Sequence, residues 1–176
     1  VDETDEQARF MEGEFSIENR ALRVISLYLP NGNPVDSEKF RYKLGWMDRL
    51  KDWAADRLSL EEAFVLAGDY KVIPEPEDCW DAAVWEGDAL FRKDTRQKFR
   101  ELLNLGFTEA VRASTDEAGV YTFWDYQAGA WPKNHGIRID HLLLSPEAAP
   151  ALQACGIDKF VRDWEKPSDH VPVWME

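Results

Sequence analysis

Short β-prone apolar runs alternate along this chain with stretches of helical period, and that alternation points to an α/β fold. Residues 22–29 mix β-branched and apolar side chains and stop at Pro30-Asn31-Gly32, which predicts a strand entering a tight loop. Phe40, Leu44, Met47, Leu50 and Ala54 then recur with helical spacing, and Asp36 or Ser37 is available as N-cap. Residues 62–67 predict a buried strand that ends at Gly68, and residues 71–88, rich in proline, acid and tryptophan, predict a long loop. Asp94 with Gln97 three places on predicts another helix, with Phe99, Leu102 and Leu103 on its core face. Residues 120–124, 137–144 and 171–174 read as further strands.

Charge narrows the function classes. The chain of 176 residues carries a formal net charge of -13. All of it lies in two segments: residues 1–20 contribute -5 and residues 61–90 contribute -8, while the rest balances. Such a chain is not one that coats nucleic acid non-specifically, although it can still grip a few phosphates locally. Arg92, Arg96 and Arg100 would share one helix face, which reads first as a solvated face and second as a phosphate contact. Two cysteines, Cys79 and Cys155, make neither a disulfide framework nor a zinc site, so a reducing, cytoplasmic setting is the expectation. No apolar stretch is long enough to span a bilayer.

Acids sit where strands end. Asp69 follows the buried run through Gly68, Asp140 lies inside the run 137–144, and Asp169-His170 precedes the last predicted strand. An acid beside an apolar strand is costly to bury unless it is paired, hydrogen-bonded or metal-bound. Three such acids with a histidine suggest a hard-cation site, because Mg²⁺ favours carboxylate oxygen and water.

Five blocks stand in a telling order: Leu27-Tyr28-Leu29-Pro30-Asn31-Gly32, Ala67-Gly68-Asp69-Tyr70, Tyr121-Thr122-Phe123-Trp124-Asp125-Tyr126, Asn134-His135-Gly136-Ile137-Arg138-Ile139-Asp140 and Ser168-Asp169-His170-Val171-Pro172. From Tyr28 onward the chain resembles the exonuclease III family of AP endonucleases, within the endonuclease/exonuclease/phosphatase superfamily. The resemblance implies a four-layer α/β sandwich, two facing mixed sheets flanked by helices, of which this chain holds the C-terminal two-thirds. It also implies cleavage of phosphodiester bonds in duplex DNA, at abasic sites and 3′ ends, with Mg²⁺ (or Mn²⁺). Carried over by motif, Asp69 would orient or deprotonate the attacking water. His170 would donate to a phosphate oxygen, and Asp140 would hold its imidazole. Asp69 and Asp169 would support the metal. Tyr28 and Asn31 would meet the scissile phosphate or leaving oxygen, and Phe123, Trp124 and Arg138 would contact DNA.

The chain departs from the family pattern in two places. The motif at residues 68–71 normally ends in asparagine, and here Lys71 stands there. Its ammonium is expected to reach Asp69, lower that carboxylate's basicity and repel a metal. The family's early Trp-Asn-x-Asn block and metal-binding glutamate are not found upstream of Tyr28. The expectation is an acidic segment, 1–20, ahead of a partial domain, 21–176. A complementing segment, self-association or a repurposed N-terminal strand would complete the domain.

Overall fold

The computed structural model describes residues 5–17 and 20–176. Strands β1 (Phe10–Ile17), β2 (Arg20–Tyr28), β3 (Phe64–Asp69), β4 (Thr108–Glu109) and β5 (Asp140–Leu144) form one mixed sheet in the order β1-β2-β3-β5-β4. β2 and β3 run parallel, joined by helix α1 (Glu38–Leu58), whereas β1, β5 and β4 pair antiparallel to their neighbours. β6 (Cys155–Ile157) and β7 (Val173–Met175) make a second, two-stranded sheet. The shorter helices are α2 (Ala82–Trp85), α3 (Lys93–Leu103) and α4 (Ala110–Ser114).

One sheet face buries Ile25, Leu27, Phe64, Leu66 and Leu143 against α1 and α3, which supply Trp46, Met47, Leu50, Ala54, Phe99 and Leu102. Ion pairs Lys51–Glu101, at 3.1 Å, and Lys98–Asp48 tie the two helices together above this core. On the opposite face, Val65, Ala67, Leu142 and Leu144 pack with Cys155 and Met175 of the second sheet. Helices, large sheet and small sheet therefore stack as three layers of an α/β sandwich.

Several boundaries differ from the sequence reading, each for a physical reason. β1 is the strand that the alternative of a repurposed N-terminal strand called for, but no apolar pattern marks it, because its side chains are mostly exposed and its two charged residues, Glu12 and Glu14, are both acidic. Pairing with β2 holds it, aided by Arg23, which meets Glu12 at 2.5 Å and Glu14 at 3.0 Å. The acidic N-terminal stretch is thus drawn into the sheet from Phe10 on. α1 takes Ser37, not Asp36, as its N-cap. α3 starts a residue earlier than Asp94, with Arg92 at the cap and no side-chain capping bond. Arg96 and Arg100 of that helix both bind Glu75, at 2.8 and 3.2 Å, so the basic stripe is largely spent on a neighbouring loop. Residues 120–124 form no ladder strand. Phe123 makes isolated bridges to Ile137 and His170 instead.

Candidate active site

The parallel register sets Tyr28 beside Asp69, and the antiparallel register sets Asp69 beside Asp140. Three adjacent strands therefore present one row of polar side chains at the same sheet end. Gly68 makes the close approach behind this row possible. Its φ is +153°, and a Cβ there would lie 1.9 Å from the carbonyl oxygen of Leu27.

The segment 121–124 places the fourth member. Thr122 Oγ1 accepts from the amides of Ile139 and Asp140, at 3.1 and 3.2 Å, and fixes the start of β5. The Thr122 carbonyl accepts from Val171, and the Trp124 amide donates to Asp169, both at 2.9 Å. His170 is held between those two contacts. Its Nδ1 lies 2.9 and 3.1 Å from the two oxygens of Asp140, and its Nε2 lies 3.7 Å from Asp69 Oδ2. Burial works against a charged imidazole here. The Asp140 hydrogen bond and charge, with Asp69 beyond, outweigh it and raise the His170 pKa above its ordinary 6.5.

Lys71 closes the site from the other side. Its ammonium lies 2.7 Å from Asp69 Oδ2, and its own amide donates to Asp69 Oδ1 at 3.0 Å. The rings of Tyr28 and Phe123 flank the ammonium at 5.5 and 5.8 Å. Burial pushes the Asp69 pKa up and Lys71 pulls it down, with a net rise. Lys71 also has φ +49°, a left-handed conformation in which asparagine is more at home than lysine.

Asp69, Asp140 and His170 offer three possible ligand atoms within 4.8 Å of one another, the one such group among the described residues. In composition they suit a divalent ion. As arranged they do not: Asp69 carries the Lys71 ammonium on one oxygen and the Lys71 amide on the other, and both Asp140 oxygens face His170 Nδ1. Asp169 stands outside the group, its carboxylate 3.4 Å from Ser168 Oγ.

Other expected site residues divide clearly. Tyr28 is half exposed at the rim, and Asn31 is exposed, its side chain accepting from the Asn33 amide at 3.0 Å. Phe123 is partly buried and meets His170 edge-on, with ring centroids 5.0 Å apart. Trp124 is corrected as a DNA contact: it is fully buried, and its indole N–H donates to Asn134 at 3.2 Å. Arg138 is corrected too. It is 1% exposed, binds Asp78 through two nitrogens at 2.8 and 3.1 Å, and meets Glu109 at 3.0 Å. A guanidinium neutralised by two buried carboxylates cannot reach a phosphate. Burial opposes the charge on Glu109, but His141, Arg138 and the Arg112 amide outweigh it and hold its pKa down at about 2. His141 sits in the same buried cluster, bonded to the Val72 carbonyl at 3.0 Å.

Sequence reasoning passed over Lys43, which is buried directly behind the Asn31 loop and the Lys71 turn. Its only sequence signal is a lysine set among the apolar positions of a helix.

The chain is similar in sequence and fold to known proteins. The sequence model of the Endonuclease/Exonuclease/phosphatase family matches residues 5–170. The chain is 28% identical to an exodeoxyribonuclease III from Haemophilus influenzae, with all of this chain and 69% of that protein covered. An AP endonuclease from Archaeoglobus fulgidus superposes with a TM-score of 0.89 at 33% identity. A 3′ phosphatase from Neisseria, bound to product DNA hairpin, does so with a TM-score of 0.91 at 35% identity. Each superposition covers 98% of this chain and 66% of the other. The chain thus spans about two thirds of the length of the proteins it resembles.

Proposed function

Because this chain belongs to the endonuclease/exonuclease/phosphatase family, we propose that it is a DNA-repair phosphodiesterase of exonuclease III type, acting in the cytoplasm on duplex DNA at abasic sites and 3′ ends. The observation that carries this reading is the contact set of Asp69, His170 and Asp140 across two strand ends and one bridging loop. Phosphoryl transfer asks for a placed nucleophile and neutralised oxygens more than for covalent chemistry.

In this mechanism Asp69 orients a water and takes its proton as the water oxygen bonds to phosphorus. The bond from phosphorus to the leaving oxygen breaks, and Tyr28 and Asn31 meet that oxygen or the phosphate from the rim. His170 donates from Nε2 to a non-bridging oxygen while its Nδ1–H donates to Asp140, which holds the ring in place. Phe123 supplies the apolar wall against which a base-free sugar rests. Asp169, outside the group, would support a divalent cation directly or through water only once Asp69 is released from Lys71.

Lys71 restrains this chemistry. Mg²⁺ or Mn²⁺, the ions the resemblance implies, would have to displace its ammonium from Asp69, so the unmodified chain is a weak nuclease. The relatives are longer, and a complementing N-terminal segment or self-association would complete the site. The Asp69–Lys71 bond also favours a second reading, in which the chain is catalytically inactive but keeps the fold and binds DNA or a protein partner.

Incision of a duplex carrying one abasic analogue tests both, with Mg²⁺ or Mn²⁺ and with chelator. The chain and its Lys71→Asn variant are compared alone and mixed with an N-terminal segment from a relative. Cutting that His170→Ala abolishes supports the nuclease. Salt-sensitive duplex binding without cutting in any combination supports the inactive reading.

A further inference from the structure

Lys43 is fully buried on α1, and its ammonium is spent entirely on main-chain oxygens. It donates to the carbonyls of Asn31 at 3.1 Å, Lys71 at 2.5 Å and Ala89 at 3.4 Å. Those oxygens belong to three separate segments: the loop after β2, the turn after β3 and the approach to α3. An ammonium has three hydrogens, so its donor count matches the three acceptors. Burial pushes its pKa down to about 7, with Asp88 and Asp69 holding it up and Lys71 lowering it.

The surroundings are built around the lysine stem. Gly32 has φ +90°, and a Cβ there would lie 2.6 Å from Lys43 Cδ. Asn33 closes the same junction, donating to Asp88 Oδ2 at 3.1 Å and accepting from the Ala89 amide at 3.0 Å. Thr95 Oγ1 adds a second donor to the Ala89 carbonyl, at 2.7 Å.

We propose that Lys43 is a positioning residue that sets the spacing between the Asn31 loop and the Asp69–Lys71 turn. Its consequence for catalysis rests on the phosphodiesterase reading, but the geometry does not. Asn31 would meet the phosphate and Asp69 the water, so their separation fixes the line of attack. A displacement of about 1 Å at such a site can cost on the order of a hundredfold in rate.

Amide hydrogen exchange on the chain and its Lys43→Met variant tests the geometry, with the Leu66 amide in β3 as the gauge of overall stability. The amides of Asn33, Lys71 and Ala89 should all speed up by about tenfold or more relative to Leu66. If they move only in step with Leu66, or singly, Lys43 is structural filling and the inference falls. Should Lys43→Met fail to fold, Gly32→Ala decides: it presses on the lysine stem and should speed exchange at Lys71, which lies beyond α1 and β3 in sequence. A change confined to residues 31–33 overturns the proposal. In incision assays Lys43→Met should lower kcat by roughly ten- to a hundredfold with KM changed less than about threefold. A wild-type chain that never cuts counts against the nuclease reading alone, and the exchange pattern still decides this one.

Discussion

Asp69 and Lys71 are bonded to each other twice, ammonium to Oδ2 at 2.7 Å and amide to Oδ1 at 3.0 Å. The amide bond is an Asx-type turn that any residue but proline can make at position 71. The ammonium bond is the one that belongs to lysine. Removing it alone should therefore free the carboxylate without moving it.

Lys71→Asn is the direct test of that separation. The variant should bind Mn²⁺ at least about tenfold more tightly in a spin-resonance titration and incise abasic duplex correspondingly faster. Its stability should fall by about 1–3 kcal/mol, because Asp69 loses a largely buried partner, a loss only partly offset by a residue better suited to φ +49°.

The His170–Asp140 contact makes stability depend on pH. The folded His170 pKa lies above its ordinary 6.5. Its contribution is fully present below about pH 6.5 and is lost as pH rises through the raised value. Urea unfolding at closely spaced pH values should show stability falling through that window, and His170→Gln should flatten the profile.

Arg138 gives the strongest stability prediction. Arg138→Met leaves Asp78 and Glu109 buried, with Asp78 keeping the Arg112 guanidinium at 2.6 Å and the Glu75 amide at 3.1 Å. The loss should be about 3–5 kcal/mol by urea unfolding. The salt dependence of duplex binding should not change, which separates this buried role from a phosphate contact.

Gly68→Ala should be destructive for a different reason. A methyl group 1.9 Å from the Leu27 carbonyl forces β2 and β3 apart where the site row begins. Unfolding free energy should drop by about 3 kcal/mol or more, and duplex binding should weaken with it.

Residues 22–29 and the Phe40–Ala54 period were legible because each turns an apolar face to the core, and the run into Gly68 because it is apolar on both of its faces. The acids Asp69 and Asp140 were legible too, since an acid next to such a run needs a reason. β1 was not, because an exposed strand held by its partner's main chain leaves no apolar signature. Residues 120–124 misled in the other direction: their apolar content serves the core around Trp124, not a ladder. Arg138 was misplaced because its role was carried over by resemblance, and nothing in the sequence shows that Asp78 and Glu109 take up its guanidinium. Lys43 was hidden because its one signal, a place among the apolar positions of α1, is shared by lysines whose stems lie on such a face and whose ammonium reaches water.

The row Tyr28, Asp69, Asp140 has a consequence for how errors would show. Its members are neighbours only through the pairing of three strands, so the row acts as a check on that pairing. A slip of β5 by one place would put Ile139 or His141 opposite Asp69, turning an acid pair into a carboxylate facing a core residue. Misregistered molecules would thus lose the carboxylate behind His170 along with their packing, and a population with the site intact is a population correctly threaded.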